Sequence, residues 1–371
     1  MEIKIDRSEL LKAVSRVQSI IERKSSMPVL STILFDASGS NVRLSATDLE
    51  LGFQETISAD VIQEGSITIS GRKLFEILKE SKSETFLIKM KENNWVFISD
   101  EVARFDLACI APDEFPAFIE PEGVAMVEID ADTLTDMINK TIYAVTLEEA
   151  GFKLSGVFTE RVSHDGDDFL RMIATDGHRL SMIDKTISNV GLLDLGKGVM
   201  IPKKGMSELN RLASEGGTVE IGFKQKECVA KKDNAVLVMR LLEAKFPDYQ
   251  AVIPKECDFP IPLKRSLLLE AMRKMLILSN ERYRAVKITL EKDLLDLVST
   301  NPDLGEGQEK IEIKYAGERI EAGFNPKYFI DILQSMESDM ISMEFTDSAK
   351  PCVLKGDADK GFIGLIMPMR V

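Results

Sequence analysis

The sequence carries one pattern three times, and this repeat limits the possible folds more than any other feature. Its period is about 120–130 residues, the length of a domain and far beyond a solenoid unit. Each copy opens with a short strand and an amphipathic segment: "EIKIDRSELLKAVSRVQSII" (2–21), "MVEIDADTLTDMINKTIYAV" (126–145) and "FPIPLKRSLLLEAMRKMLIL" (259–278). In the first, Leu10, Val14, Val17 and Ile21 recur at helical spacing. A strand ending in a polar turn follows: "VRLSATDLELGF", "LRMIATDGHRLSM" and "LDLVSTNPDLGE". The turn starts at Thr47, Thr175 and Thr300, followed by Asp48, Asp176 and Asn301. A second strand–helix unit and further alternating strands complete each copy. The first two copies close on "DEFPAF" (113–118) and "AKFPDY" (244–249). The pattern predicts an α+β protein of three similar domains, 1–122, 123–253 and 254–371, each with two helices on antiparallel sheets.

Several function classes are excluded early. The apolar runs fall short of the ~20 residues that span a bilayer, and the N-terminus lacks an export signal, so a cytoplasmic protein without membrane contact is expected. Cys109, Cys228, Cys257 and Cys352 lie far apart without a CxxC pair, and the chain has 2 histidines. Reduced cysteines, no metal site and no cofactor are expected.

Charge is segregated. The segments predicted as helices (9–24, 72–82, 132–145, 202–215, 262–284, 326–338) are together net positive in a chain of net charge −14. The remainder is therefore more negative still. Lys264, Arg265, Arg273, Lys274, Arg282 and Arg284 crowd the fifth segment. Cationic helices on an acidic body suggest that the helices face a polyanion while the sheets face solvent.

The stretch "IATDGHRLSM" (173–182) packs Thr175, Asp176, His178 and Arg179 together. An enzyme reading, a hydrolase or transferase using Asp176, His178 and Arg179, is one alternative. No nucleophile elbow, phosphate loop or metal cluster supports it, and the other copies read "TDLEL" and "TNPDL", without histidine. Asp-Gly between alternating strands predicts a hairpin turn instead. "HDGDDF" (164–169) likewise predicts a hairpin turn and no calcium loop.

The threefold pattern, "ATDGHRL", "FPDY", "ILSNE" and the terminal "MPMR" together resemble the bacterial sliding clamps, the beta subunits of DNA polymerase III. The resemblance runs through the whole chain and implies the DNA clamp fold. It implies a head-to-tail homodimer forming a closed ring around duplex DNA, a processivity factor with no catalytic residues. Its partners are then a clamp loader complex, the DNA polymerase III alpha subunit and other proteins with a clamp-binding motif.

Carried onto this chain, the resemblance implies a partner-peptide groove. Its second-domain wall holds Leu154, Thr175, Gly177, His178, Arg179, Leu180, Pro247 and Val252. The third domain adds Asn325, Tyr328, Ser348 and Pro351, and the tail adds Leu365, Ile366, Met367, Pro368, Met369 and Arg370. Lys12, Arg16, Lys24, Lys203, Lys204, Arg273 and Lys274 are the implied DNA-facing residues. Arg72, Lys73, Arg104, Phe105, Leu107, Ile277 and Leu278 are implied at the dimer interface, the basic ones facing acidic groups such as Glu306 and Glu309. Two departures stand out. Residues 146–151 read "TLEEAG", so no DNA contact is carried onto Glu148 or Glu149, and Ala251 stands where some members have arginine.

Overall fold

The computed structural model describes residues 1–21, 26–92, 94–118, 123–146, 155–254, 259–279 and 285–369. In the first repeat, β1 (Glu2–Asp6) leads into α1 (Arg7–Val17), followed by β2 (Thr32–Ser38), β3 (Asn41–Thr47) and β4 (Leu51–Ser58). Next come β5 (Asp60–Gln63), β6 (Gly65–Ser70), α2 (Gly71–Glu80), β7 (Thr85–Lys91), β8 (Trp95–Ser99) and β9 (Arg104–Ala108). The second repeat begins with β10 (Met126–Asp130), α3 (Ala131–Asn139), β11 (Gly156–His164), β12 (Asp167–Thr175) and β13 (Arg179–Thr186). It ends with β14 (Val199–Pro202), α4 (Lys203–Ala213), β15 (Thr218–Lys224), β16 (Glu227–Lys232) and β17 (Ala235–Arg240). The third begins with β18 (Ile261–Lys264), α5 (Arg265–Leu278), β19 (Val286–Glu291), β20 (Leu294–Asn301) and β21 (Gly305–Glu312). It closes with β22 (Ile320–Phe324), α6 (Pro326–Ser335), β23 (Met340–Glu344), β24 (Cys352–Gly356) and β25 (Phe362–Ile366).

Helix starts follow from side-chain chemistry. Asp6 caps α1 by accepting from the N–H groups of Ser8 (2.8 Å) and Glu9 (3.0 Å), and Asp130 caps α3 through Thr133 N–H (2.9 Å). Leu10, Ala13, Val14 and Val17 make the buried stripe of α1, with Leu10, Val14 and Val17 contributing about 1.5–3 kcal/mol each. The helices are shorter than their amphipathic patterns. The α3 helix stops before Thr141, whose hydroxyl donates back to the carbonyls of Met137 (2.8 Å) and Ile138 (3.2 Å). Past the end of α1, Ile20 and Ile21 stay buried in a non-helical turn, so burial outlasts the helix.

The chain divides into two compact units, and the cut does not follow the repeats. One unit comprises Met1–Ile129, Leu192–Asp194 and Gly217–Leu241; the other comprises Asp130–Gly191, Leu195–Gly216 and Leu242–Val371. The first unit holds a five-stranded sheet, β5-β1-β7-β8-β9, and an eight-stranded sheet, β10-β15-β16-β17-β4-β3-β2-β6. The second holds an eight-stranded sheet, β14-β11-β12-β13-β25-β24-β23-β18, and a four-stranded sheet, β21-β20-β19-β22. Strands of neighbouring repeats pair: β17 with β4 in the first unit and β25 with β13 in the second, both antiparallel. Hydrogen bonding between repeats thus carries half of the second repeat into the first unit. The strands β9 and β21 remain edges of their sheets.

Candidate partner-binding surface

The stretch with the enzyme-like residues is a turn whose polar groups are consumed in holding it. Thr175 Oγ1 donates to the Arg179 carbonyl (2.6 Å) and accepts from Gly177 N–H (3.1 Å). Asp176 Oδ1 accepts from the N–H groups of His178 and Arg179, both at 3.0 Å. Gly177 sits at φ +84, a left-handed conformation open to glycine. The Asp-Gly signal is therefore read correctly as a hairpin turn, with three residues between β12 and β13. The other Asp-Gly pair, Asp165 and Gly166, has positive φ at both residues between β11 and β12, as a two-residue hairpin turn requires.

Arg179 points inward. Its Nε donates to Asp176 Oδ2 (3.0 Å), Nη1 to Asp331 Oδ2 (2.6 Å) and Nη2 to the Tyr143 carbonyl (2.6 Å). The guanidinium also lies 4.6 Å from the Tyr328 ring centroid and 5.4 Å from that of Tyr143. Lys327 pairs with the same Asp331. Burial pushes the Tyr143 phenol up to about 12, and its hydroxyl bonds to Ser181. Arg179 is thus a strut that fixes the turn against α6. Asp176 binds the His178 backbone and Arg179, and among the described residues the exposed His178 ring has no hydrogen-bond partner.

Beside the turn lies an apolar floor. Leu180 and Leu365 face each other across β13 and β25 and are buried with Ile173, Met182, Phe246 and Tyr249. Phe158 stacks on Phe246 with centroids 4.8 Å apart. Met367, Pro368 and Met369 are half-buried. The tail is tied down by Met367 N–H to the His178 carbonyl (2.8 Å) and Met369 N–H to the Gly323 carbonyl (2.7 Å).

The structure brings many of the expected residues together. Thr175, Gly177, His178, Arg179 and Leu180 share the turn, and Leu365 to Met369 run beside it. Ile366 is buried opposite Arg179. Pro247 and Val252 are exposed near Phe246 and Tyr249 in sequence. Asn325 caps α6 by accepting from Lys327 N–H (3.0 Å), placing Tyr328 on its first turn beside Arg179. Ser348 is exposed and Pro351 buried in the β23–β24 connection. Leu154 and Arg370 lie outside the described residues. Sequence reasoning missed Phe158, Phe246, Tyr249, Tyr143 and Asp331. The sequence offers "FPDY" as a motif of the resemblance and places only its Pro247 in the groove wall, and nothing local marks Asp331 as the counter-ion of Arg179.

The cationic residues divide. Lys12, Lys204 and Arg273 are exposed on α1, α4 and α5; Lys203 is half-buried, and burial, then the charge of Arg179, pushes its ammonium down. Lys24 lies outside the described residues. Arg16, expected as a DNA-facing cation, has a side chain 15% exposed and ion-paired with Glu55 of β4. Lys140, at the same distance from its N-cap in α3, is buried against Asp136 and Asp359. Lys274 pairs with Glu309 of β21 at 2.8 Å. Within one chain, Arg72 and Lys73 pair with Glu76 at 2.8 Å each, while Arg104 is exposed. Ile277 is 75% exposed, and Leu278, Phe105 and Leu107 are half-buried. Among the described residues no group of His, Cys, Asp or Glu is arranged to hold a metal ion, and no helix is long and apolar enough to cross a membrane.

Fold and site together define a threefold-repeated α+β protein with an apolar surface beside a pinned hairpin. Three family profiles match in succession: the N-terminal, central and C-terminal domains of the DNA polymerase III beta subunit, over residues 1–119, 128–248 and 250–370. The chain is 30% identical to the beta sliding clamp of Caulobacter vibrioides and 31% identical to that of Pseudomonas putida, each alignment covering 100% of both chains. Among solved structures it superposes on a DNA polymerase III beta subunit from Bartonella birtlesii, bound to griselimycin, with a TM-score of 0.94 and 32% identity over 100% of both chains. The Caulobacter crescentus pol III beta structure gives a TM-score of 0.94 at 30% identity, also over 100% of both chains. The chain belongs to the DNA polymerase III beta-subunit family, the beta sliding clamps.

Proposed function

We propose that two chains join head to tail into a ring that encircles duplex DNA and tethers the replicative polymerase and other replication and repair proteins. Three clamp domains, 1–122, 123–253 and 254–371, make up each chain. The observation that carries this reading is the incomplete pairing of the repeats. Hairpin strand β4 finds β17, and hairpin strand β13 finds β25, each a closing strand of the next repeat. The third hairpin strand, β21, and the first closing strand, β9, are left as edges. Such edges are an aggregation hazard unless covered, and β21 of one chain covering β9 of another repeats the pairing already used twice. Ile277, Leu278, Phe105 and Leu107, with Arg72, Lys73 and Arg104 nearby, then form that interface.

The cationic helices line the hole and meet phosphate through weak contacts, because retention is topological. Lys12, Lys24, Lys203, Lys204 and Arg273 serve there, while Arg16 and Lys274 act chiefly within the protein. A clamp loader opens the ring. The alpha subunit and other motif-bearing proteins dock a short peptide into the apolar groove from Thr175–Leu180 to Leu365–Arg370, and methionine adapts to several anchors. The protein acts in the cytoplasm and performs no catalysis of its own.

The test is native mass together with retention on DNA. A two-chain mass is expected, with loaded protein resisting salt on a closed circle and slipping off once the circle is cut. Direct phosphate binding would lose roughly 10³–10⁵ in affinity on raising salt, whatever the DNA topology. Equal loss from circular and linear DNA overturns the ring. Full dimerisation of the Ile277→Ala, Leu278→Ala double variant at nanomolar concentration removes the interface assignment.

A further inference from the structure

The first unit contains a second copy of the turn that supports the groove. Thr47 Oγ1 donates to the Leu51 carbonyl (2.8 Å) and accepts from Leu49 N–H (3.0 Å). Asp48 Oδ1 accepts from Glu50 N–H (3.0 Å) and Leu51 N–H (2.6 Å). Arg240 N–H donates to the Glu50 carbonyl at 2.9 Å, as Met367 does to His178. The backbone bonding of the two sites therefore matches position by position, but the side chains differ. Leu49 stands for Gly177, Leu51 for Arg179, Gly52 for Leu180 and Arg240 for Met367.

These exchanges reshape the surface. With no side chain on Gly52, the Phe118 ring covers the position; a Cβ there would lie 2.9 Å from Phe118 Cε2. A cavity of about 1080 Å³ opens beside it, walled by Leu51, Val238, Phe115 and Phe118. Leu49 stands in this cavity's lining, 54% exposed and at φ +76. That conformation carries a steric cost for leucine, where the other turn uses glycine. An exposed aliphatic side chain held at such a cost is poorly explained by folding alone. Lys224, Lys226 and Arg240 share the lining with Glu50 and Glu227, and Arg240 has no ion-pair partner among the described residues. On a chain of net charge −14 this basic rim is local.

We propose that the cavity is a second peptide site, taking an extended segment with a leucine or phenylalanine anchor next to aspartate or glutamate. The apolar walls receive the anchor, and Arg240 receives the carboxylate beside it. The strands β4 and β17 are already paired with each other, so the segment binds by side-chain anchors and not as an added strand. The first groove, with methionine at the position of Arg240, suits neutral polar and apolar anchors, so one chain holds two unlike partners without competition. The inference stands on this cavity's own lining and borrows from the first groove only the peptide class of the occupant.

The probe is a fluorescein-labelled peptide with Leu-Phe flanked by aspartates, beside a counterpart with lysines in their place. Full-length protein carrying Met367→Asp, which puts a charge in the apolar wall of the first groove, is titrated by anisotropy and by methyl NMR. The acidic peptide is expected to bind it as tightly as wild type and to shift the methyls of Leu49, Leu51 and Val238. Arg240→Glu is expected to weaken this binding by about tenfold or more, and Arg240→Ala by less; the lysine peptide is expected not to bind. Shifts confined to Leu180 and Leu365, an unchanged affinity with Arg240→Glu, or no binding at millimolar peptide each overturn the second site. Binding of a Gln-, Leu- and Phe-bearing peptide to wild type and to Met367→Asp reads the first groove separately.

Discussion

The seam between β13 and β25 and the seam between β4 and β17 share a backbone plan and are held by different chemistry. In the second unit the seam is pinned by charge. Arg179 reaches from its hairpin to Asp331 on α6, and Lys140 at the end of α3 is buried against Asp359 at 2.8 Å, with the Phe362 ring 5.9 Å away. Asp359 also accepts from Ser338 N–H and Glu337 N–H, both at 3.0 Å. In the first unit the position of Arg179 is the buried Leu51, and an aromatic ring covers Gly52. The difference is that the same backbone turn is tied to a neighbouring helix by a buried ion pair in one seam and packed with apolar groups in the other. The hairpin held through Arg179 lies beside a defined apolar floor, whereas the hairpin with Leu51 in that place lies beside a large cavity with Arg240 in its lining, and its seam carries the Arg16–Glu55 pair instead.

The largest expected effect tests the strut itself. Lys140→Met leaves Asp359 buried without its cation and is expected to destabilise the protein by about 3–5 kcal/mol in urea unfolding. Burial pushes the Asp359 carboxyl up, but Lys140 and the Ser338 bonds outweigh it and hold it below its ordinary 3.8. Burial likewise pushes Lys140 down, and Asp136 and Asp359 outweigh it, leaving the ammonium above its ordinary 10.5. The Asp359 contribution is thus present above 3.8 and lost as pH falls through the lowered pKa; that of Lys140 is present below 10.5 and lost as pH rises through the raised one. The difference between wild type and variant should be flat at mid pH and shrink at both ends. A loss below about 1 kcal/mol would put the pair among surface salt bridges and erase the contrast between seams.

Next in size is the floor of the pinned seam. Deleting Met367 to Val371 removes the half-buried methionine and proline wall, so binding of a Gln-, Leu- and Phe-bearing peptide should fall by about tenfold or more. The two-chain mass should persist. His178→Ala should cost less, because its exposed ring supplies only a rim contact. Unchanged affinity in the truncated dimer would show that this seam is not the partner groove.

The smallest effect probes the unpinned turn. Left-handed leucine costs about 1–2 kcal/mol, and glycine returns part of that as unfolded-chain entropy, so Leu49→Gly should stabilise by about 0.5–1 kcal/mol. The same change should weaken the acidic peptide at the second cavity. A destabilised Leu49→Gly protein, measured by thermal unfolding, would mean that the leucine packs and is not held at a cost.

Much of this architecture was legible in the chain. The threefold order, a helix at the start of each copy, and the Asp-Gly turns follow from local patterns, and the structure contains each of them. The site was half legible. "TDGHRL" and "LIMPM" could be singled out as residue types, but their roles could not be assigned from spacing. Arg179 is expected in the groove wall, and its guanidinium is held inward by Asp331, 152 residues away. Arg16 reads as one more cation on a helix and is spent on Glu55.

The identity of each repeat follows from local chemistry, because helix periodicity, strand alternation, caps and turns are settled by neighbours within one or two turns of chain. Tertiary structure alone decided which strands of different repeats pair, which cations turn inward, and that the same turn yields a floored groove in one unit and a cavity in the other. Those outcomes depend on groups far apart in the chain, and on desolvation that exists only once the sheets and helices have packed.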